Sequence, residues 1–168
     1  VADAAGAASL TEQALDTWGR IDAVVANAAI VRDRPFHEMT LADFDDLIDV
    51  NLRGTMRTVQ PAYKAMRAGG GGRIVIVTSS SGMLGAHFQA NYAASKPAAV
   101  GSTRAAALEG AAHGSKANVV APGAVRTERI EAMSPKLQAK WRRMVPAQRI
   151  GEPDEVAAAF DELHASGK

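Results

Sequence analysis

The 168 residues contain no cysteine, which rules out a disulfide framework and a Cys-based zinc site. Aromatic residues are scarce at 5%, so the hydrophobic fraction of 47% rests largely on alanine. No surplus of either charge exists: 19 Lys and Arg face 18 Asp and Glu, a formal net charge of +1. That balance argues against a general nucleic-acid binder, which concentrates basic charge. No apolar run approaches the roughly 18 residues of a membrane helix. The N-terminus lacks the basic-then-apolar form of a signal peptide. His37, His87, His113 and His164 are scattered without metal-ligand spacing, so no metal site is expected. These exclusions leave a soluble, cytoplasmic protein with a single domain over residues 1–168, large enough to bury a core.

What is present reads as alternating helices and strands. Ser9 with Glu12 forms a capping box at the start of "SLTEQALDTWG", and Gly19 stops that helix. "AVVANA" (Ala23 to Ala28) is a continuous apolar run, expected to be a strand buried on both faces. Thr40 caps "LADFDDLIDV", and the helical pattern runs on to about Ala68, with Gly54 and Pro61 as places to bend. "GGGG" (Gly69 to Gly72) is a loop before a second buried strand, "RIVIVTS". A helix is predicted from about Tyr92 to Ala112, then a third strand in "ANVVAP". Ser134-Pro135 and Pro153 open two further helices. The alternation predicts an α/β fold, a parallel doubly wound, Rossmann-like sheet with about three core strands and flanking helices. Ligands of such sheets sit beyond the carboxyl ends of the strands. Here those ends are Asn27-Ala28-Ala29, Thr78-Ser79-Ser80 and Pro122-Gly123.

Tyr92 and Lys96 are four apart on one predicted helix and share a face. A phenol with pKa ~10 is a poor base at neutral pH, but an ammonium one turn away favours the phenolate. Ser79, at the end of the neighbouring strand, can hold a carbonyl oxygen. The trio suits proton transfer to a carbonyl. Alone, Tyr-x-x-x-Lys is more often a solvated pair, Pro122-Gly123 a turn, and Asn51 a helix cap or bend.

Taken together, "NYAASK", Ser79 thirteen residues before the tyrosine, "VVANAAI", "DVNLRGT", "NVVAPGAVRT" and "RIGEPDEVA" resemble the short-chain dehydrogenase/reductase family over nearly the whole chain. The resemblance implies an NAD(P)-dependent oxidoreductase interconverting a ketone and a secondary alcohol. It makes Tyr92 the acid/base, Ser79 the carbonyl holder, and Lys96 the partner of Tyr92 and of the nicotinamide ribose. Asn51 would hold a water linking Lys96 to solvent. Asn27 and Ala28 would lie along the cofactor, NAD or NADP, and Pro122, Gly123, Val125 and Thr127 would bracket the nicotinamide. It further implies homo-oligomerisation through helices near residues 52–67 and 92–112. "VRDRPFHEMT" and "ALEG" look similar to members acting on 3-hydroxyacyl thioesters or steroids. The basic stretch "PKLQAKWRRMV", with Lys136, Lys140 and Arg143 near one face, is either a solvated helix or a lid meeting an anionic substrate such as an acyl-CoA. His87 and Phe88 line the pocket or pack in their loop, and Met83 reads equally as pocket or core.

Several family features have no counterpart in these 168 residues. The Gly-rich phosphate loop is one of them. The sequence is expected to begin about where the family's third strand ends and to stop before its last. The three strands would then form one side of the sheet, with both outer edges open. Pro97 falls inside the predicted helix, where it costs ~3 kcal/mol or a kink tilting Lys96 off the tyrosine. Ser102 and Ser115 occupy places where large apolar residues are common in the family, and Asp161 and Glu162 interrupt an apolar face, so looser packing is expected. The alternative to an enzyme is an association module that keeps the oligomerisation helices and binds no dinucleotide.

Overall fold

A computed structural model describes residues 1–165. Helix α1 (Ala4–Trp18) begins earlier than the Ser9–Glu12 pair suggested. Asp3 is the N-cap, its carboxylate accepting the N–H groups of Ala5 and Gly6. The alanine-rich turn that follows favours helix, so the earlier cap wins. Ser9 lies inside, donating its hydroxyl to the Gly6 carbonyl at 2.9 Å. Gly19 ends the helix in the left-handed region, φ 73°, as expected of a glycine there.

Three parallel strands, β1 (Ala23–Ala26), β2 (Arg73–Val77) and β3 (Lys116–Val120), stand in that order, as the alternation predicted. Ala23 lies beside Arg73, and Arg73 beside Lys116. Only β2 is buried as its apolar run implied. β1 is shorter than the run and not buried on both faces: Val25 is 42% exposed. The reason is the alternation of side chains: Val24 and Ala26 face the helix-packed core, whereas Ala23 and Val25 point to the other face and stay exposed.

Between β1 and β2, Thr40 caps helix α2 (Leu41–Leu47) in a reciprocal box with Asp43. The long helical pattern then loosens, though not at Gly54 or Pro61. It widens into a π-helical turn over Ile48–Arg53 and resumes as α3 (Gly54–Ala68), with Pro61 inside it. A π-turn frees backbone groups from the regular ladder. Here the Asn51 carbonyl accepts the Thr55 hydroxyl at 2.8 Å.

Short α4 (Ser80–Leu84) follows β2, and α5 (Ala90–Ala111) leads to β3. Beyond β3 come α6 (Glu128–Glu131), α7 (Pro135–Met144) and α8 (Pro153–Ala165). The core lies on one face of the sheet. Val59, Ala62 and Met66 of α3 and Ala99 of α5 pack on Ile74, Ile76 and Ala26. The spacing of Val59, Ala62 and Met66 places them on one stripe of α3, whose burial replaces propensity as the source of stability. At the opposite end of the strands the glycine loop passes very close to Gly114. A Cβ on Gly71, at φ 116°, would stand 2.5 Å from the Gly114 carbonyl oxygen. This is the architecture of a partial Rossmann-like α/β fold. Among the described residues, no helix is long and apolar enough to cross a membrane.

Candidate active site

Pairing continues past the strand ends. Thr78 N–H donates to the Val120 carbonyl, and Ser80 N–H to that of Pro122. The carboxyl ends of β2 and β3 therefore stay together and open into a cleft of about 660 Å³. Ser79, Tyr92 and Lys96 all line it. So do Asn27, Pro122, Gly123, Val125 and Thr127. Of the residues expected to act in catalysis or hold the cofactor, Ala28 and Asn51 do not line it.

Ser79 is the N-cap of α4, with its Oγ accepting the Ser81 N–H at 3.2 Å. A bond accepted at oxygen leaves the hydroxyl proton uncommitted, so Ser79 can donate to a group in the cleft. Tyr92 lies in the first turn of α5. Lys96 is one turn on, 4% exposed, with its Nζ 5.9 Å from the centre of the Tyr92 ring. Its ammonium donates to the Val77 carbonyl at 2.8 Å. Burial pulls the lysine pKa down from 10.5 to about 8, since desolvation penalises the charged form.

Pro97 does not throw Lys96 off the tyrosine. Helix α5 runs unbroken from Ala90 to Ala111 with the proline inside it. Two contacts hold the turn. The Lys96 carbonyl accepts the buried Thr78 hydroxyl at 2.9 Å. Helix α4 presses against the same point: a Cβ on Gly82 would stand 3.0 Å from Lys96 Cβ and 3.1 Å from Pro97 Cδ.

Asn51 is 1% exposed and works one layer behind the cleft. Its Oδ1 accepts the Ile30 N–H at 2.8 Å, and its Nδ2 donates to the Ile30 carbonyl at 3.0 Å. This two-way bond imitates a strand pair for a segment that has left the sheet. Nδ2 also reaches Ser95 Oγ at 3.2 Å, and Ser95 donates to the Tyr92 carbonyl at 3.0 Å. Asn51 thus ties the exit of β1 to the turn that bears Tyr92.

The sequence reading missed several residues of this scaffold. Asn91, wholly buried, donates to the carbonyls of Arg32 and Asp43 and accepts the Tyr92 N–H at 2.8 Å. A polar side chain directly before the tyrosine was the available signal. Gln89 lines the cleft and donates to Asp33 Oδ1 at 2.8 Å. Trp141, Val156 and Phe160 bring α7 and α8 to the cleft. Lys136, Lys140 and Arg143 are exposed and stand outside the lining, as do His87 and Phe88. Met83 is 60% exposed rather than in the core. Among the described residues, no three His, Asp or Glu lie close enough to hold a metal ion.

The residues present fit the nicotinamide end of a dinucleotide. The cleft floor at Gly123 is open, with no atom within 4 Å of where a Cβ would stand. Polar groups of Asn27 and Thr127 face the same space as Ser79 and Tyr92.

Residues 1–164 match the family described as Enoyl-(Acyl carrier protein) reductase. Acetoacetyl-CoA reductase of Acinetobacter sp. (strain RA3849) is 38% identical over 91% of this chain and 62% of its own length. Acetoacetyl-CoA reductase of Rhizobium meliloti (strain 1021) is 41% identical over 83% of this chain and 58% of its own. A 3-oxoacyl-(acyl-carrier-protein) reductase of Synechocystis sp. is 39% identical over 95% of this chain and 64% of its own. The chain therefore spans somewhat under two thirds of the length of these relatives. With that likeness running along nearly all of its residues, the protein belongs to the short-chain dehydrogenase/reductase family.

Proposed function

We propose that this chain carries the proton-transfer and nicotinamide-facing part of an NAD(P)-dependent reductase acting on a 3-oxoacyl thioester. The observation that carries this reading is the convergence of Ser79, Tyr92 and Lys96 with Asn27, Pro122, Gly123, Val125 and Thr127 on one cleft. The relatives, named as acetoacetyl-CoA and 3-oxoacyl-(acyl-carrier-protein) reductases, favour a thioester over a steroid.

The nicotinamide end held by these residues would, when bound in its reduced form, be the source of the hydride for the carbonyl carbon. Ser79 donates its free hydroxyl proton as a hydrogen bond to the carbonyl oxygen. Tyr92 delivers the proton that completes the alcohol, and in the oxidative direction takes it back. Lys96, charged below a pKa of about 8, stands beside the tyrosine ring and, with Tyr92, would hold the nicotinamide ribose. Asn27, Val125 and Thr127 would hold the remainder of the nicotinamide end. Asn51 keeps the Tyr92 turn in place through Ser95. Helices α3 and α5 would join two copies of the chain; Met56 and Leu108, which they carry, are 41% and 81% exposed.

The test is a titration with NADH and with NADPH followed by nicotinamide fluorescence, then turnover of acetoacetyl-CoA. Saturable binding, with turnover that Tyr92→Phe lowers by about 10²-fold or more, supports the reading. No binding of either nucleotide at millimolar concentration overturns it for this chain.

A further inference from the structure

Helix α4 carries Ser79 at its N-cap, yet little anchors it. It has five residues, Ser80–Leu84, of which Gly82 is the buried one. Met83 and Leu84 are exposed. Among the described residues, none of 81–85 makes a hydrogen bond or ion pair outside its own turn. A helix this short has no stability of its own, so its place must come from packing. That packing is Gly82 on α5. A Cβ at Gly82 would stand 3.0 Å from Lys96 Cβ, 3.1 Å from Pro97 Cδ and 3.5 Å from Pro97 Cγ. The glycine backbone therefore lies directly on the lysine stem and the proline ring. Two of these three atoms belong to the ring, and an alanine at 97 would have neither.

What α4 holds bears on the site. The sheet fixes the backbone on both sides of Ser79, since Thr78 N–H donates to the Val120 carbonyl and Ser80 N–H to that of Pro122. The hydroxyl answers to α4 instead. Ser79 Oγ accepts the Ser81 N–H at 3.2 Å, and the Ser79 carbonyl accepts those of Gly82 and Met83 at 3.1 and 3.3 Å. A shift of α4 would turn the hydroxyl and leave the strand in place. Proline deep in a helix forfeits a backbone bond, so position 97 of α5 is a poor place for it on local grounds. Its contact with α4 gives the ring a use there.

We propose that Pro97 is a positioning residue: its ring seats Gly82 of α4 and so aims the Ser79 hydroxyl into the cleft. That the hydroxyl serves a carbonyl rests on the reductase reading, whereas the seat can be measured on the chain without cofactor or substrate.

The measurement is amide hydrogen exchange, read by NMR on the whole chain. Pro97→Ala should speed exchange of the Ser81, Gly82 and Met83 amides by about ten-fold, the worth of two buried methylene groups. The amides of α5 beyond position 97 should exchange no faster, because that helix regains its missing bond. Pro97→Val, which returns branched carbons to the seat without the ring, should restore much of the protection in α4. Gly82→Ala should speed the same three amides, although alanine is the better helix former. Unchanged or slower exchange at 81–83 in Pro97→Ala overturns the seat. So does faster exchange that Pro97→Val fails to reverse, which would assign the effect to the regained N–H. In turnover of acetoacetyl-CoA, Pro97→Ala should lower kcat by about three-fold or more with KM little changed, while raising the melting temperature. A merely structural residue would move activity and stability together. Faster exchange with kcat unchanged overturns the aiming of Ser79. Absence of nucleotide binding in the parent would sink the reductase reading alone, and exchange would still decide the seat.

Discussion

At the scale of single residues, Lys96 and Asn51 hold the site by different means. Lys96 keeps a charge where little water reaches, with the Val77 carbonyl as its acceptor. Its folded pKa of about 8 lies below the ~10.4 of an unfolded lysine. Below pH 8 both states are protonated and the full cost of burying the ammonium is present. Between the two values the unfolded chain still binds a proton that the folded chain has released, so stability rises with pH. From about pH 7.5 to about pH 9.5 the gain should be about 1–2 kcal/mol, using ~1.4 kcal/mol per pKa unit. Urea unfolding at the two pH values measures it, and Lys96→Met should abolish that part of the rise. Asn51 is neutral, and its value lies in satisfying the backbone of Ile30. Asn51→Ala leaves a part-buried N–H and a part-buried carbonyl of Ile30 without their partner, at about 1–2 kcal/mol. The urea midpoint should fall accordingly with its slope unchanged.

At the scale of elements, α5 shows how tertiary contact outweighs a local rule. Proline inside a helix costs about 3 kcal/mol relative to alanine, yet α5 passes through Pro97 unbroken. Thr78 from β2 and the close approach of α4 at Gly82 hold the turn from outside. Pro97→Ala should restore the bond to the Ala93 carbonyl while losing some ring contact and freeing the unfolded chain. The net expectation is about 1–2 kcal/mol of added stability, read as a higher melting temperature. The same balance explains what the sequence could reveal. Strands, the Thr40 and Ser134 caps and the Tyr92–Lys96 face follow from patterns within a few residues, and were legible. Asp3 is hidden by Ser9–Glu12, a more conspicuous box farther along the helix. The π-turn at Asn51 leaves no mark in the local pattern, and the partner of the Asn51 side chain, Ile30, lies 21 residues away. Likewise the exposure of Val25 depends on whether a layer covers its face of the sheet, and an apolar run cannot say that.

At the scale of the whole molecule, two exposed features are candidates for joining copies of the chain. One is the edge of β1, where Val25 is 42% exposed. Unpaired strand edges are templates for further strands. The other is the pair of helices α3 and α5, with Leu108 at 81% exposure. A twofold contact uses the same patch on both copies, so one substitution is counted twice. Burying a leucine side chain is worth about 1.5–3 kcal/mol, and two of them about 3–6 kcal/mol. If the helices associate, Leu108→Glu should raise the dimer dissociation constant by about 10²-fold or more. Sedimentation over a range of concentrations would show the loss, with the circular dichroism of the helices unchanged. Val25→Lys should leave that dimer intact, because it touches only the sheet edge. The reverse pattern, association surviving Leu108→Glu and lost in Val25→Lys, would place the contact at β1. Copies would then be joined strand to strand, and helices α3 and α5 would have no part in assembly.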